Sequence, residues 1–496
     1  MRCRALLGAL LLLPSTAGAQ EDDGWGDDGD EFGFEDVADI EVIAPPPLRD
    51  WALTGFLRSD WGAWIERFDD HPWAKGRQSL DLQFTYKKAG IRVLAAAHGE
   101  YDLAYLHDAD RFDQGTLDAY QARIIPGEQY VAAPLGPLEV TLGRQIVAWG
   151  EADMLGALDV INPRDMREPG LADIDDLRLP LLASRLGAFF GKHRLEAMVT
   201  HQSSFGELSP PLGEFGPFGA VLGRSAEMAV LLEGRELVLA HEGEGYDPDY
   251  WGYFLRWTYQ GEGLDLGLYA VNSLDGQGVA LPPEGFEMLS GLLGALTLDD
   301  LRIIAMSGTL PTRFELVLDH PRRWLFGTSG ALPSGDWIFK WEAALSLDRA
   351  FNTADLTAAV PELAVQSSNL LTGVIGVTYS GVADTTLGLE ASQAHLFDDI
   401  EGLLFPVDVP SFALRAMHTA LRERLRLVAA ASVIGLTAEY GWLARIEGTY
   451  ELADALKATV GYVHYGAGDP DELGPFSAFT EHDRVFARLR WDFSAL

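Results

Sequence analysis

The chain has 496 residues, with 37 Lys and Arg against 74 Asp and Glu, a formal net charge of −37, and a hydrophobic fraction of 48%. No basic concentration is present to displace counterions from phosphates, which excludes nucleic acid as a partner. The single cysteine, Cys3, falls within the leader described next, so disulfides, thiol catalysis and cysteine-ligated metals are excluded from the mature protein.

Arg2 and Arg4 precede an apolar run from Ala5 to Leu13 and a small-residue cleavage signal at Ala17-Gly18-Ala19, which predicts a signal peptide over residues 1–19. Residues 20–48 form an acidic head that carries no basic residue and contains Pro45-Pro46-Pro47, a composition that predicts a disordered periplasmic segment. Trp25, Phe32 and Phe34 punctuate it. A solubilising leader has no need of these rings, so they are the candidates for docking a periplasmic partner or the barrel mouth; the alternative is a solvated acidic leader.

From residue 49 onward, side-chain character alternates at successive positions in window after window. Trp51, Trp61 and Trp64 bracket Leu53, Gly55 and Leu57; Leu80, Leu82, Phe84 and Tyr86 alternate with Asp81, Gln83, Thr85 and Lys87. Such a period of two marks strands with one apolar and one polar face. Their lengths match the 9–11 residues that a tilted strand needs to cross a bilayer, while no apolar run approaches a membrane-spanning helix.

The next strand runs from Leu138 through Gly143-Arg144-Gln145 to Trp149-Gly150-Glu151. With Leu138, Val140 and Leu142 facing lipid, Gln145, Trp149 and Glu151 point inward and Arg144 outward. An arginine facing the bilayer midplane costs about 2–4 kcal/mol. Either Arg144 lies near an interface, or a bulge at Gly143 turns it inward toward Glu151 or Asp165, and the bulge is the expectation adopted. An insert follows at 153–182, rich in charges of both signs. Opposed charges set selectivity in pore constrictions, so Arg144, Gln145, Trp149, Glu151, Asp159, Asn162, Arg164, Asp165 and Arg167 are the lumen candidates. A loop whose charges merely keep it soluble is the competing reading.

Strand alternation resumes at Trp251, Tyr253, Leu255, Trp257 and Tyr259, at Trp337 to Leu347, and at Trp442 to Tyr450. Two apolar inserts, 281–300 and 402–424, have helical spacing in Phe286, Leu289, Leu292, Leu293 and Leu296, and in Phe412, Leu414, Met417, Leu421 and Leu425. They predict helices that plug the lumen or meet a hydrophobic cargo. The closing segment places Val485, Ala487, Leu489, Trp491 and Phe493 on one face and Arg484, Arg488, Arg490 and Asp492 on the other. An aromatic strand close to the C-terminus is the signal read by the barrel-assembly machinery. The fold expected is therefore an all-β, transmembrane, antiparallel up-and-down barrel of about 14–18 strands with helical loop inserts, spanning residues 49–496. Trp51, Trp61, Trp251, Tyr259, Trp491 and Phe493 are its membrane girdle.

The run Gly143-Arg144-Gln145-Ile146-Val147-Ala148-Trp149-Gly150-Glu151, followed by Asp159-Val160-Ile161-Asn162-Pro163-Arg164-Asp165, resembles the DUF1302 family of bacterial outer-membrane proteins. The sharp match covers about residues 138–185. The resemblance implies a barrel in the cell outer membrane, a periplasmic DUF1329 partner and an RND-type inner-membrane exporter. The acidic head and the residues after Phe493 depart from the family pattern.

Transport of hydrophobic or lipid-like molecules is the function expected, with a closed scaffold barrel as the alternative. The histidines lack the i, i+4 placement of a zinc pair, and no cofactor is called for. His201 with Ser203 or Ser204 is the only hydrolase pairing worth testing, and one or two positions along a strand do not build an oriented nucleophile and base.

Overall fold

The computed structural model describes residues 50–69, 71–107, 109–170, 177–216, 230, 232–281, 297–355, 362–403, 407–470, 472 and 474–495. Residues 1–49, over which a leader and the acidic head with Trp25, Phe32 and Phe34 are expected, and residues 282–296 of the 281–300 insert lie outside the described residues.

The alternating segments become the strands of one sheet. Its first half comprises β1 (Trp51–Trp64), β2 (Trp73–Lys88), β3 (Ile91–Asp102), β4 (Ala122–Leu135), β5 (Leu138–Gln145), β6 (Leu181–Phe190), β7 (His193–Thr200), β8 (Gly252–Gln260) and β9 (Asp265–Leu274). The second half comprises β10 (Arg322–Ser334), β11 (Trp337–Asp355), β12 (Glu362–Val382), β13 (Thr385–Leu396), β14 (Ser411–Ala420), β15 (Leu425–Ile434), β16 (Trp442–Ala453), β17 (Leu456–Gly466) and β18 (Arg484–Ala495). Each strand pairs antiparallel with its sequence neighbours, and β18 closes onto β1 from Leu53↔Ala495 to Trp64↔Arg484. The result is a closed 18-stranded antiparallel barrel, at the upper end of the strand range expected. Closure leaves the barrel wall without a free edge strand, and the ladders between neighbouring strands are interrupted only at register shifts such as Ala95/Ala97 and Ser346/Arg349 and where a strand overruns its neighbour.

The two ends differ. Beside the chain termini the strands are joined by tight turns such as Ala89-Gly90 and Gly335-Asp336, and at the opposite end by long connections. The exterior is apolar along its middle, with Leu57, Leu80, Leu82, Leu255, Leu268, Leu389 and Leu489 exposed. Aromatics ring it at two levels. Near the termini Trp51 stacks on Phe84 at 6.4 Å, Trp337 meets Tyr379 at 4.3 Å and Trp491 meets Phe493 at 5.7 Å. Tyr259 packs on His193 at 5.2 Å at this same level. At the long-loop end Trp61 lies edge-on to Trp73 at 5.8 Å and Trp251 edge-on to His201 at 4.4 Å. Trp64 is the exception to the expected belt. It has even parity with Phe56, Arg58 and Asp60 and is buried inside, against Phe215 and His482.

The helix expected over 402–424 is absent among the described residues. Residues 411–420 are strand β14, residues 421–424 turn the chain with Leu421, Arg422 and Glu423 at positive φ, and Leu425 opens β15. Phe412 and Leu414 alternate with Ala413 and Arg415, a period of two that the helical spacing happened to overlap. Pairing with β13 over residues 411–418 and with β15 over residues 411–420 decides between them. After the undescribed part of the other insert, a helix does run from Leu298 to Met306, started by a Thr297–Asp300 capping box.

The bulge expected at Gly143 does not form. β5 keeps regular register with both neighbours, Leu142↔Val131, Gly143↔Tyr130 and Arg144↔Gln129 on one side and Gly143↔Ala183 on the other. Arg144 keeps its outward parity at the long-loop end of the strand, where Nη1 donates to Gln202 Oε1 at 2.9 Å. Neither Glu151 nor Asp165 is its partner. The interface position avoids the cost of placing the guanidinium at midplane depth.

Candidate functional site

The β5–β6 connection, in its described residues 146–170 and 177–180, folds inward rather than standing on the rim. Its entry is fixed by Asn162: Oδ1 accepts from Val147 N at 2.7 Å, while Nδ2 donates to Gln145 O at 3.1 Å and Leu179 O at 2.9 Å. One side chain thus ties both ends of the loop together. Trp149 then packs on the neighbouring wall, where Nε1 donates to Glu196 Oε1 on β7 at 3.1 Å and its ring contacts Phe254 and Tyr269. Val147, Trp149, Leu158 and Ile161 form a shared core with Met198, Phe254, Tyr269, Val271, Leu325 and Ala344 of the wall.

Residues 151–158 are held by two inward carboxylates of the wall. On β11, Glu342 Oε1 accepts from the backbone N–H of Glu151 at 2.6 Å and Ala152 at 2.8 Å, and Oε2 from those of Ala157 at 2.7 Å and Leu158 at 3.1 Å. On β13, Glu390 accepts from Asp153 N at 2.6 Å, Met154 N at 2.9 Å and Leu155 N at 2.7 Å. Between the two strands, Val374 of β12 packs with Met154 and Leu155. A loop has no ladder of its own, so its buried N–H groups need such acceptors. Lys340 adds contacts to Asp153 at 2.8 and 2.9 Å.

Gly150 makes this approach feasible. Its φ is +106°, and a Cβ there would lie 2.2 Å from Glu342 Oε1. Gly150→Ala is expected to displace the Glu342 carboxylate and add roughly 1–3 kcal/mol of backbone strain. Protease cleavage within 151–158 of the folded barrel should rise; unchanged resistance would rule out Gly150 as part of the anchor.

The second half of the loop returns to the opposite wall. Arg77 of β2 grips Glu168 with two hydrogen bonds at 3.1 and 3.0 Å, and Lys75 reaches the same carboxylate at 2.7 Å. Arg167 binds Asp165 at 2.6 Å and Glu100 of β3 at 3.3 Å. Asp159 holds Arg164 at 2.6 Å and Arg178 at 3.0 Å. Tyr465 of β17 donates its hydroxyl to Pro169 O at 2.5 Å. The loop is thereby attached around the lumen, to β7, β11 and β13 on one side and to β2, β3 and β17 on the other.

The sequence candidates thus divide. Trp149, Glu151, Asp159, Asn162, Arg164, Asp165 and Arg167 all belong to the inserted loop, and Gln145 is buried at its root. Arg144 faces outward. Arg164 pairs with Asp159, and Arg167 with Asp165 and Glu100, so these side chains hold the loop in place more than they line a path as free charges. Glu196, Glu342 and Glu390 were not legible as anchors, because each reads as one more inward polar position on an alternating strand. The connection after β3 was likewise missed: Tyr105 and Tyr120 stack there at 4.9 Å, and the Tyr120 hydroxyl donates to Arg167 O at 2.8 Å. His201 pairs with Ser184 at 2.8 Å across the sheet, whereas Ser204 donates to Glu244 and Ser203 bridges to Gly245 through its backbone.

Solved barrels with some likeness include Acinetobacter baumannii OccAB2, at 10% identity and TM-score 0.47 over 90% of this chain and 98% of that one. Acinetobacter baumannii OccAB3 is at 10% identity and TM-score 0.46, over 90% of this chain and 100% of that one. The Pseudomonas aeruginosa outer membrane protein OpdK is at 12% identity and TM-score 0.44, over 90% and 99%. No curated protein matches the chain. The family model described as "Protein of unknown function (DUF1302)" matches residues 66–442, and the chain belongs to that family.

Proposed function

We propose that the chain is an outer-membrane transport barrel whose lumen is narrowed by the 146–180 loop. The observation that carries this is the pinning of that loop across the lumen by Glu342, Glu390 and Arg77. The apolar exterior between two aromatic levels, with short turns beside the termini and long connections opposite, supports a bilayer setting with the loops outside. The solved porin-like barrels named above are compatible with this reading but do not carry it. No catalytic step is assigned to the chain.

The expectation of lipid-like cargo draws partly on a helix over 402–424, where residues 411–420 are instead wall strand β14. Around the loop the wall instead presents Arg58, Arg77, Arg185, Arg194, Arg256, Lys340, Glu196, Glu342 and Glu390 inward. That lining suits an amphipathic solute with polar groups to be met. A periplasmic DUF1329-type protein and an RND-type exporter belong to the same proposal, with Trp25, Phe32 and Phe34 as the docking residues. Deleting residues 21–44 should then lower recovery of the periplasmic partner; undiminished recovery would remove that role.

The test is single-channel recording of the signal-free protein in planar bilayers, after heat-modifiable gel mobility has verified folding. Discrete steps are expected. A folded but silent barrel would favour the second reading, a closed scaffold, which the packing of Trp149 and Leu158 against the wall supports.

Glu151 supplies a pH signature. Burial, reinforced by the negative charges of Asp265 and Glu342 and opposed by Lys340, pushes its carboxyl up to about 7. It is neutral below that pH and anionic above it, so cation preference should rise as pH passes upward through about 7. Reversal potentials in a salt gradient at pH 6 and pH 8 would report this. Glu151→Gln should flatten the dependence, and an unaltered titration would assign it to another group.

A further inference from the structure

Between the inserted loop and the long-loop end of the wall lies a cavity of about 410 Å³, within the range of small-molecule sites. Leu155, Ile161, Leu208, Phe254, Leu274 and Leu318 supply apolar surface to it. Two of its lining residues form a histidine relay. His320 Nδ1 lies 2.6 Å from Asp275 O, and His320 Nε2 lies 2.9 Å from His241 Nδ1.

The direction of this relay follows from the carbonyl at its end. A carbonyl only accepts, so His320 Nδ1 carries hydrogen. Burial pushes the His320 imidazolium down to about 4, with the neighbouring His241 acting in the same sense, so near neutrality Nε2 carries none. His241 must then donate from Nδ1, which leaves its Nε2 as a bare lone pair. Burial also lowers the His241 pKa, against the pull of Glu244 and Glu207. Among the described residues, none hydrogen-bonds to this Nε2.

The anchoring of the relay is rigid. Asp275 is buried and clamped by Arg349 at 2.9 Å and Arg323 at 3.6 Å. Phe205 stacks on both imidazoles, and Gly278 lets His320 in, since a Cβ there would lie 2.6 Å from its Cε1. A polar relay buttressed this firmly, ending in an acceptor without a partner among the described residues, in a cavity whose apolar surface is interleaved with charges already paired, Asp159 with Arg164 and Asp275 with Arg323 and Arg349, has the design of a ligand site.

We infer that this cavity binds an uncharged, ring-bearing alcohol, its apolar body against Leu155, Phe254 and Leu318 and its hydroxyl donating to His241 Nε2. The inference rests on the transport reading only in making the cavity a station on the path; binding itself is an equilibrium property. A site built to receive an O–H rejects an analogue that lacks it, because the acceptor, covered by the bound body, is then left unpaired.

The experiment is calorimetric titration of the folded full chain in detergent with 1-naphthol and with 1-methoxynaphthalene, against empty micelles as blank. Native protein should bind the naphthol about tenfold more tightly than the ether. In His241→Leu that gap should shrink to about twofold or less, through weaker naphthol binding. Equal affinities for the two probes, or no binding above the blank, would overturn the inference. Because the probe pair reads the native chain, a variant that fails to fold does not shelter it. A silent barrel that still discriminates would sink the transport reading and keep this one; a conducting barrel without discrimination would do the reverse.

Discussion

Glu342→Ala is expected to release the constriction. Four loop N–H groups lose their acceptor at once. A hydrogen bond to a charged acceptor contributes roughly 1.5–3 kcal/mol. In a wet lumen the freed N–H groups rehydrate, so the net loss of loop anchoring falls well short of the sum, at about 3–5 kcal/mol. Wall strand β11 keeps its ladder hydrogen bonds to β10 and β12, so the barrel itself should persist. The measurement is conductance together with limited proteolysis of the folded protein. Conductance should rise about twofold or more and residues 151–158 should become cleavable, more strongly still when Glu390→Ala is added. Unaltered conductance with unaltered protection would mean that the Trp149 and Leu158 packing alone holds the loop.

Glu168→Leu should instead destabilise the whole molecule. Arg77 and Lys75 share this buried carboxylate, and Arg77 also lies 3.5 Å from Asp102 and 3.7 Å from Glu100. Removing one partner from a buried ion cluster leaves uncompensated charge and costs about 3–5 kcal/mol. A lowered midpoint of thermal or urea unfolding, followed by gel mobility, is the readout. Replacing both Glu168 and Arg77 by apolar residues should recover part of the loss, since no lone charge is then stranded.

The same cluster sets a pH dependence. Burial alone would raise the Glu168 pKa, but the charges of Arg77, then Lys75 and Arg484, outweigh it and hold the carboxyl well below the usual range. A depressed folded-state pKa means stability that is present above the unfolded value, about 4.3, and lost as pH falls below it toward the folded value. The unfolding midpoint should therefore drop on acidification below about pH 4 more steeply in the native protein than in Glu168→Leu. Parallel pH profiles would show that Glu168 does not govern acid lability.

What the sequence by itself determined is the wall. A period of two needs only local information, and it placed Leu80, Leu82, Phe84, Leu489 and Trp491 outside, and Arg488 and Arg490 on the opposite face, before any pairing was known. Family resemblance in residues 143–165 likewise singled out the segment whose chain leaves the wall and folds inward. The same local rule failed where two periods coincide, at Phe412 and Leu414, and where one strand end turns its aromatic inward, at Trp64. What only the tertiary structure decided is the destination of the 146–180 loop. Glu342 and Glu390 lie 184–191 and 235–237 residues along the chain from the N–H groups that they accept. No spacing rule reaches so far: barrel closure brings these carboxylates to the height at which the loop arrives, and the need of its buried N–H groups for acceptors does the rest.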